Sequence, residues 1–390
     1  MEFTKSYNEL KLAFSLNNTN TVLAGKGLEI RVMQFTSNSS LVLPSNGVEE
    51  QTAYHQTIAS EDGDIMENKT FSYPVFVPSS SEPHGKAIIL LHGLNERSWL
   101  KYLPWAYYLA ERTNRPVILF PIAFHMNRSP ELWANPRAMM PLLNSRQQIN
   151  ELDKSTFANV ALSQRLSDDP LRFFSSGRQS AEDLIQLIET IKTGNYPLLK
   201  SNAQIDFFAY SIGAFLAQIM FIANPKSLLS ASRLFLFCGG AHFSEMFGTS
   251  RLIMDSDAYA RLRKYYLDDF LKELQVSTPF SSYMRGTQLG EAFVSMVSPE
   301  CNKKFRQERL VGLRDRVRIV SLKKDKVIPS NYIQSTFACI KNQVKGMVQE
   351  LDFPYEYSHE TPFPVLNSSN AVLVDRYFNR VFEPAVEFLM

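Results

Sequence analysis

Ser211 stands in the stretch QIDFFAYSIGAFLAQ, residues 204–218, whose residue types and spacing suit a hydroxyl nucleophile presented on a sharp turn. Ile205, Phe207 and Phe208 form a short apolar run of the kind buried on both faces of a parallel sheet. From Phe215 onward, apolar residues recur at Leu216, Ile219 and Met220 with helical spacing. A strand that turns into a helix within AYSIGA holds its central residue in a strained conformation, so the residues two positions to either side must be small. Ala209 and Gly213 meet that demand, with alanine where glycine is usual. Taken alone, the pentapeptide is equally compatible with Ser211 as a helix N-cap.

A serine hydroxyl needs an adjacent base, usually histidine, and the imidazole needs a carboxylate to orient it. The chain has six histidines. His55 and His84 precede the core strands, and His92 belongs to an HG turn that it is better suited to shape than to serve as base. His125 and His242 follow strands and stay open as lesser candidates for base or substrate contact. His359 lies beyond the final apolar strand, in a loop stiffened by Pro362, and is the best-placed base. For the carboxylate, Asp325 follows the strand Arg318–Leu322 and precedes Val327, Ile328 and Pro329, at a strand end where a loop can present an acid. Asp352, within the next strand, and Asp255, within an insertion, rank below it. Glu360 points elsewhere if its loop is extended.

The elements that must position these groups alternate strand and helix. Strand-like pieces at Leu28–Phe35 and Phe71–Val77 come first, and KAIILLHG then gives a buried strand over Ala87–Leu91 closed by His92 and Gly93. A helix is expected over Trp99–Arg112, a strand over Arg115–Phe124, an amphipathic helix over residues 177–193 and a strand over Arg233–Ala241. The last strand, in MVQELDFPYEYSH, is expected to run to His359, and a closing helix covers about Ala371 to Met390. Two long stretches, about 125–176 and 242–313, break the rhythm and carry aromatic and methionine residues. The second follows a strand end, where open α/β sheets bind ligands.

LLHG at Leu90–Gly93, AYSIG at Ala209–Gly213, DKVIP at Asp325–Pro329 and the late His359 occur in the order of the α/β-hydrolase superfamily, whose triad runs Ser, Asp, His. From about residue 70 to the end, the chain resembles that superfamily. The resemblance implies an α/β fold with a mostly parallel central sheet, helices on both faces and helical lid insertions. It also implies Ser211 as nucleophile, His359 as general base and later acid, and Asp325 as its orienter. The oxyanion hole would be made by the backbone N–H groups of Ile212 and Leu94, although Asn95 and Glu96 depart from the small residues often found in that loop. Residues 1–70 are expected to be a polar extension with possible edge strands, and residues 71–390 the hydrolase core. The implied activity is that of an esterase-like serine hydrolase acting on a small-molecule carboxylic ester or related acyl substrate, without metal or cofactor. A binding protein that kept the fold without catalysis stays open, as do peptidase, thioesterase and lyase chemistries.

Composition bounds the partners. With 45% hydrophobic and 21% charged residues and a net charge of +2, the chain has no global field to attract nucleic acid or an anionic membrane. The basic run Lys303, Lys304, Arg306, Arg309, Arg314, Arg316 and Arg318 reads as a solvated helix surface leading into a strand. Cys238, Cys301 and Cys339 show no CxxC pairing, and there is no HExxH or glycine-rich phosphate loop. The amino terminus lacks a signal-like apolar core and no run approaches a membrane span, so a cytoplasmic protein is expected. The sequons at Asn17, Asn38, Asn68 and Asn367 are then chance matches.

Overall fold

Short runs of Val, Ile, Leu and Phe without alternation are stable only where a sheet is covered on both faces. In the computed structural model, which describes residues 2–39, 62–80, 82–150, 154–365 and 371–390, these runs enter one sheet. Its strands are β1 Asn20–Leu23, β2 Leu28–Thr36, β3 Thr70–Pro78, β4 His84–Leu91, β5 Val117–Leu119, β6 Leu199–Tyr210, β7 Leu234–Phe237, β8 Val317–Leu322 and β9 Val348–Leu351. The spatial order is β1-β2-β3-β5-β4-β6-β7-β8-β9. The first three strands and the β3–β5 pair run antiparallel, and every pairing from β5 through β9 is parallel.

This is the expected α/β architecture, a mostly parallel sheet with helices on both faces. One face packs against helices Leu171–Lys192 and Ile212–Ala223, the other against Phe3–Ala13, Leu103–Thr113 and Ala371–Leu389. From β4 the chain steps outward to β5, then crosses back to β6 on the other side of β4. The connections therefore diverge at the carboxyl ends of β4 and β6 and open a crevice there. The opening segment belongs to the same packing: the Phe3 ring stacks 4.7 Å from Phe378, and Thr4 N–H donates to Asp375 at 3.0 Å.

Several elements end elsewhere than periodicity predicts. The strand expected over Arg115–Phe124 spans only Val117–Leu119, because Pro121 has no donor and Ile122 N–H is drawn to His92 Nε2 at 2.9 Å. The strand expected to reach Ala241 stops at Phe237, where Cys238 (φ 50°) and Gly240 (φ 120°) turn the chain. β9 stops at Leu351, well short of His359, as Pro354 breaks the ladder and the Phe353, Tyr355 and Tyr357 rings cluster against Tyr377. The helix expected from residue 177 starts at Leu171, and the one expected from Trp99 starts at Leu103, with proline in its first turn.

The two interruptions are largely helical, with Pro136–Asn150 and Val160–Asp168 in the first and Ser256–Lys264, Pro279–Gly286 and Gln288–Val297 in the second. A buried bidentate pair clamps one to the other: Arg146 Nε and Nη2 each lie 2.8 Å from an Asp255 oxygen, and Ser155 donates to the same carboxylate at 2.7 Å. The basic run is less solvated than expected. Arg306 is buried and donates to the carbonyls of Pro299 (2.5 Å) and Cys301 (2.9 Å), while Arg316 holds those of Leu229 and Ser232, each at 2.8 Å. Asn68 is buried and bonded to Phe124 N–H and Gln179. The Asn367 sequon lies outside the described residues.

Candidate active site

β6 pairs Ala209 with Leu91 of β4 and Leu236 of β7, and the helix Ile212–Ala223 begins three residues later. Ser211 alone makes the turn, at φ 57° and ψ −121°. Such a backbone costs a non-glycine residue about 1–3 kcal/mol and persists only where the surroundings fix it. Two hydrogen bonds do so: Ser211 N–H donates to Phe237 O at 3.2 Å, and Gly213 N–H donates to His92 O at 3.1 Å. A Cβ at Gly213 would lie 2.6 Å from His92 O and 2.8 Å from Leu91 Cβ, so the second small residue is obligatory. Ala209 is fully buried between its strand partners, and the sheet accommodates its methyl group.

The sequence-selected residues meet. Ser211 Oγ lies 2.6 Å from His359 Nε2, and His359 Nδ1 lies 2.7 Å from Asp325 Oδ2. The other Asp325 oxygen accepts from the N–H groups of Val327 (2.9 Å) and Ile328 (2.8 Å). A carboxylate can only accept, so it keeps the imidazole proton on Nδ1 and leaves the Nε2 lone pair facing the serine hydroxyl. Ser211, Asp325 and His359 are 5%, 4% and 3% exposed, so these bonds lie in a nearly water-free setting that strengthens them. Tyr210 adds a support that spacing did not reveal: its hydroxyl donates to His359 O, and its ring stacks on the imidazole at 5.5 Å and 19°.

Leu94 and Ile212 sit at the crevice on the loops after β4 and β6. Neither backbone N–H has an acceptor among the described residues. Asn95, unexplained in the sequence, adopts φ 59°, which asparagine tolerates better than most residues. Its side-chain amide donates to Ala158 O (2.7 Å) and Leu252 O (2.8 Å), tying the loop to both insertions. Glu96 accepts from Lys101 and, at 2.9 Å, from Tyr102, whose hydroxyl receives Gly93 N–H at 2.9 Å. Lys101 lies 4.8 Å above the Tyr210 ring and donates to Glu360 O at 3.1 Å. Glu360 itself accepts from Ser250. Of these residues, Lys101, Tyr102 and Ser250 are revealed only by their meeting in space.

Of the other histidines, His55 lies outside the described residues and His84 bonds to Pro78 O at 3.2 Å. His92 and His242 serve the scaffold, and His125 also lines an apolar cavity beside the site. His92 Nδ1 donates to Gly93 O at 2.8 Å while Nε2 accepts from Ile122, and burial, reinforced by His125, holds its pKa well below the usual value. Burial pushes His125 down to about 4, with Nδ1 donating to Ala123 O at 2.8 Å. His242 Nδ1 is bonded to Glu245 at 2.8 Å. No hydrogen bond joins any of them to Ser211 among the described residues. Asp352 receives the Tyr357 hydroxyl, and Asp255 clamps the insertions.

Two apolar cavities adjoin the site. One of about 50 Å³ is lined by Ser211, Met246, Met254, Val327 and Ile328 among others, and one of about 90 Å³ lies against it. Leu94, Phe173 and Ile212 line both. Among the described residues, no group of three or more His, Cys, Asp or Glu side chains is arranged to hold a metal ion, and no helix is long and apolar enough to cross a membrane.

The chain is similar to several solved structures. An esterase from Pyrobaculum calidifontis shares 13% identity, with 99% of this chain and 92% of that one covered and a TM-score of 0.45. Carboxyl esterase 2 from the mycorrhizal fungus Tuber melanosporum shares 8%, with 98% and 96% covered and a TM-score of 0.43. The peroxisomal alpha-beta-hydrolase Lpx1 from Saccharomyces cerevisiae shares 11%, with 93% and 89% covered and a TM-score of 0.39. No curated protein matches the sequence. The model of the family of unknown function DUF6051 matches residues 1–390, and the chain belongs to that family.

Proposed function

We propose that this protein is a serine hydrolase that cleaves a small-molecule carboxylic ester or related acyl compound through an acyl-enzyme. One observation carries the reading: a serine at positive φ on a strand-to-helix turn whose Oγ lies 2.6 Å from an imidazole, itself 2.7 Å from a carboxylate. Ser211 Oγ attacks the carbonyl carbon as its proton passes to His359 Nε2, and the Asp325 carboxylate stabilises the imidazolium. The oxygen that becomes negative is received by the N–H groups of Leu94 and Ile212, a contribution of about 3–4 kcal/mol per donor. Collapse of the tetrahedral adduct breaks the bond to the leaving group, which takes the proton from His359. Water, deprotonated by the same imidazole, then releases the acid and restores the serine.

The mostly apolar lining of both cavities supports an ester with apolar groups; Arg165, Arg172 and Arg178, which also line the larger one, are paired with Asp62 and Glu182. Incubation with a fluorophosphonate, followed by peptide mapping, tests the reading. A covalent adduct on Ser211 that disappears in His359→Ala is expected; folded protein without an adduct would overturn the proposal.

A further inference from the structure

Resting on the serine-hydrolase reading, we propose that the larger cavity is the chamber for a large apolar acyl group and that Gly177 sets the size of group it accepts. Leu94, Ile212 and Phe173 line both cavities, so a carbonyl held by the first two has one cavity on either side. The leaving group must stay within reach of His359 Nε2 to collect its proton, on the side of the loop that carries Asp325. Val327 and Ile328 of that loop line the smaller cavity and are absent from the wall of the larger one. The smaller cavity therefore takes the leaving group and the larger one the acyl group. Phe124, Leu162, Leu166, Phe174, Phe215 and Phe293 give the larger cavity its apolar wall.

Gly177 lies inside the helix Leu171–Lys192 and on that wall. Glycine in a helix interior costs about 1 kcal/mol relative to alanine. Neither of the usual reasons for one applies here. Its backbone is not left-handed, and a Cβ built on it would meet nothing within 4 Å. What the missing side chain preserves is empty space at the chamber wall. Phe174 and Ala181, three residues before it and four after on the same helix, line the same cavity, so a side chain placed at Gly177 extends on that face toward the acyl group.

The test compares rates at which methane-, hexane- and dodecanesulfonyl fluoride label Ser211 in the full chain, since the alkyl group of each probe takes the acyl position and fluoride leaves. In the parent protein the dodecane probe reacts faster than the methane probe. In Gly177→Ala and Gly177→Leu, both better helix formers than glycine, the dodecane-to-methane ratio falls in order of side-chain size, by about tenfold or more for leucine. A ratio that is unchanged or raised in the folded variants overturns the chamber assignment while leaving the hydrolase reading intact. Failure of every probe to label Ser211 in the parent overturns the hydrolase reading itself.

Discussion

Tyr210 holds His359 at two points: its hydroxyl donates to the His359 backbone carbonyl, and its ring lies parallel to the imidazole at a centroid distance of 5.5 Å. Because Tyr210 directly precedes Ser211, the residue that ends β6 also fixes the distance between nucleophile and base. Removing the hydroxyl in Tyr210→Phe leaves the stack and frees the carbonyl. We expect kcat to fall about tenfold with KM little changed, since a small misplacement of a reacting group costs rate rather than affinity. Equal losses in both constants would argue against a positioning role.

The strain at Ser211 gives a stability prediction of the opposite sign. Glycine accepts φ 57° and ψ −121° far more readily than serine does. Ser211→Gly therefore abolishes labelling and hydrolysis, yet raises unfolding stability by about 1 kcal/mol after the lost hydrogen bond to His359 is discounted. Denaturant titration of parent and variant reads the difference, and a destabilised variant would show that the turn is held without strain.

Asp325→Asn tests the orienting role. The amide retains an oxygen for Val327 and Ile328 N–H but can present its NH₂ to His359 Nδ1, which shifts the imidazole proton to Nε2 and removes the base. A loss in kcat of roughly ten-thousand-fold is expected. A loss of only a few fold would place the orienting group elsewhere.

Acid stability follows from the buried imidazoles. His125 takes up its proton near pH 6.5 when unfolded but only at about 4 when folded. Between those values the unfolded chain binds the extra proton, so the free energy of unfolding falls as pH falls. The slope approaches about 1.4 kcal/mol per pH unit for each such histidine and vanishes above the window. His92, depressed by burial in the same direction, adds to it. Urea midpoints measured from about pH 7 down to about pH 5 should drop in the parent and drop less in His125→Gln. A flat profile in the parent would contradict neutral burial.

Part of this molecule is legible one residue at a time. A strand-to-helix turn around serine requires small neighbours, and Gly213 packs against His92 O and Leu91 as that demand implies. The apolar runs of β4, β6 and β7 enter the sheet as neighbouring parallel strands. Strand ends were less legible, because Pro121, Pro354 and the positive φ of Cys238 act through local backbone geometry that periodicity does not weigh. Lys101 and Tyr210 were invisible as site residues, and Asn95 and Glu96 were legible only as departures in the loop after β4. Each is an ordinary polar or aromatic side chain in the sequence and gains meaning only from partners remote in the chain, as with Asn95 and Leu252.

The amino-acid sequence by itself determined the class of fold and the choice of Ser211, Asp325 and His359, since strand periodicity, turn chemistry and the order of three reactive side chains are local or linear properties. Tertiary structure alone decided that the three lie within hydrogen-bonding distance. It also decided that Asn95 bridges both insertions and that two apolar cavities meet beside Leu94 and Ile212. Those facts depend on how separate elements pack, and packing is set by the sum of many weak contacts that no single segment encodes.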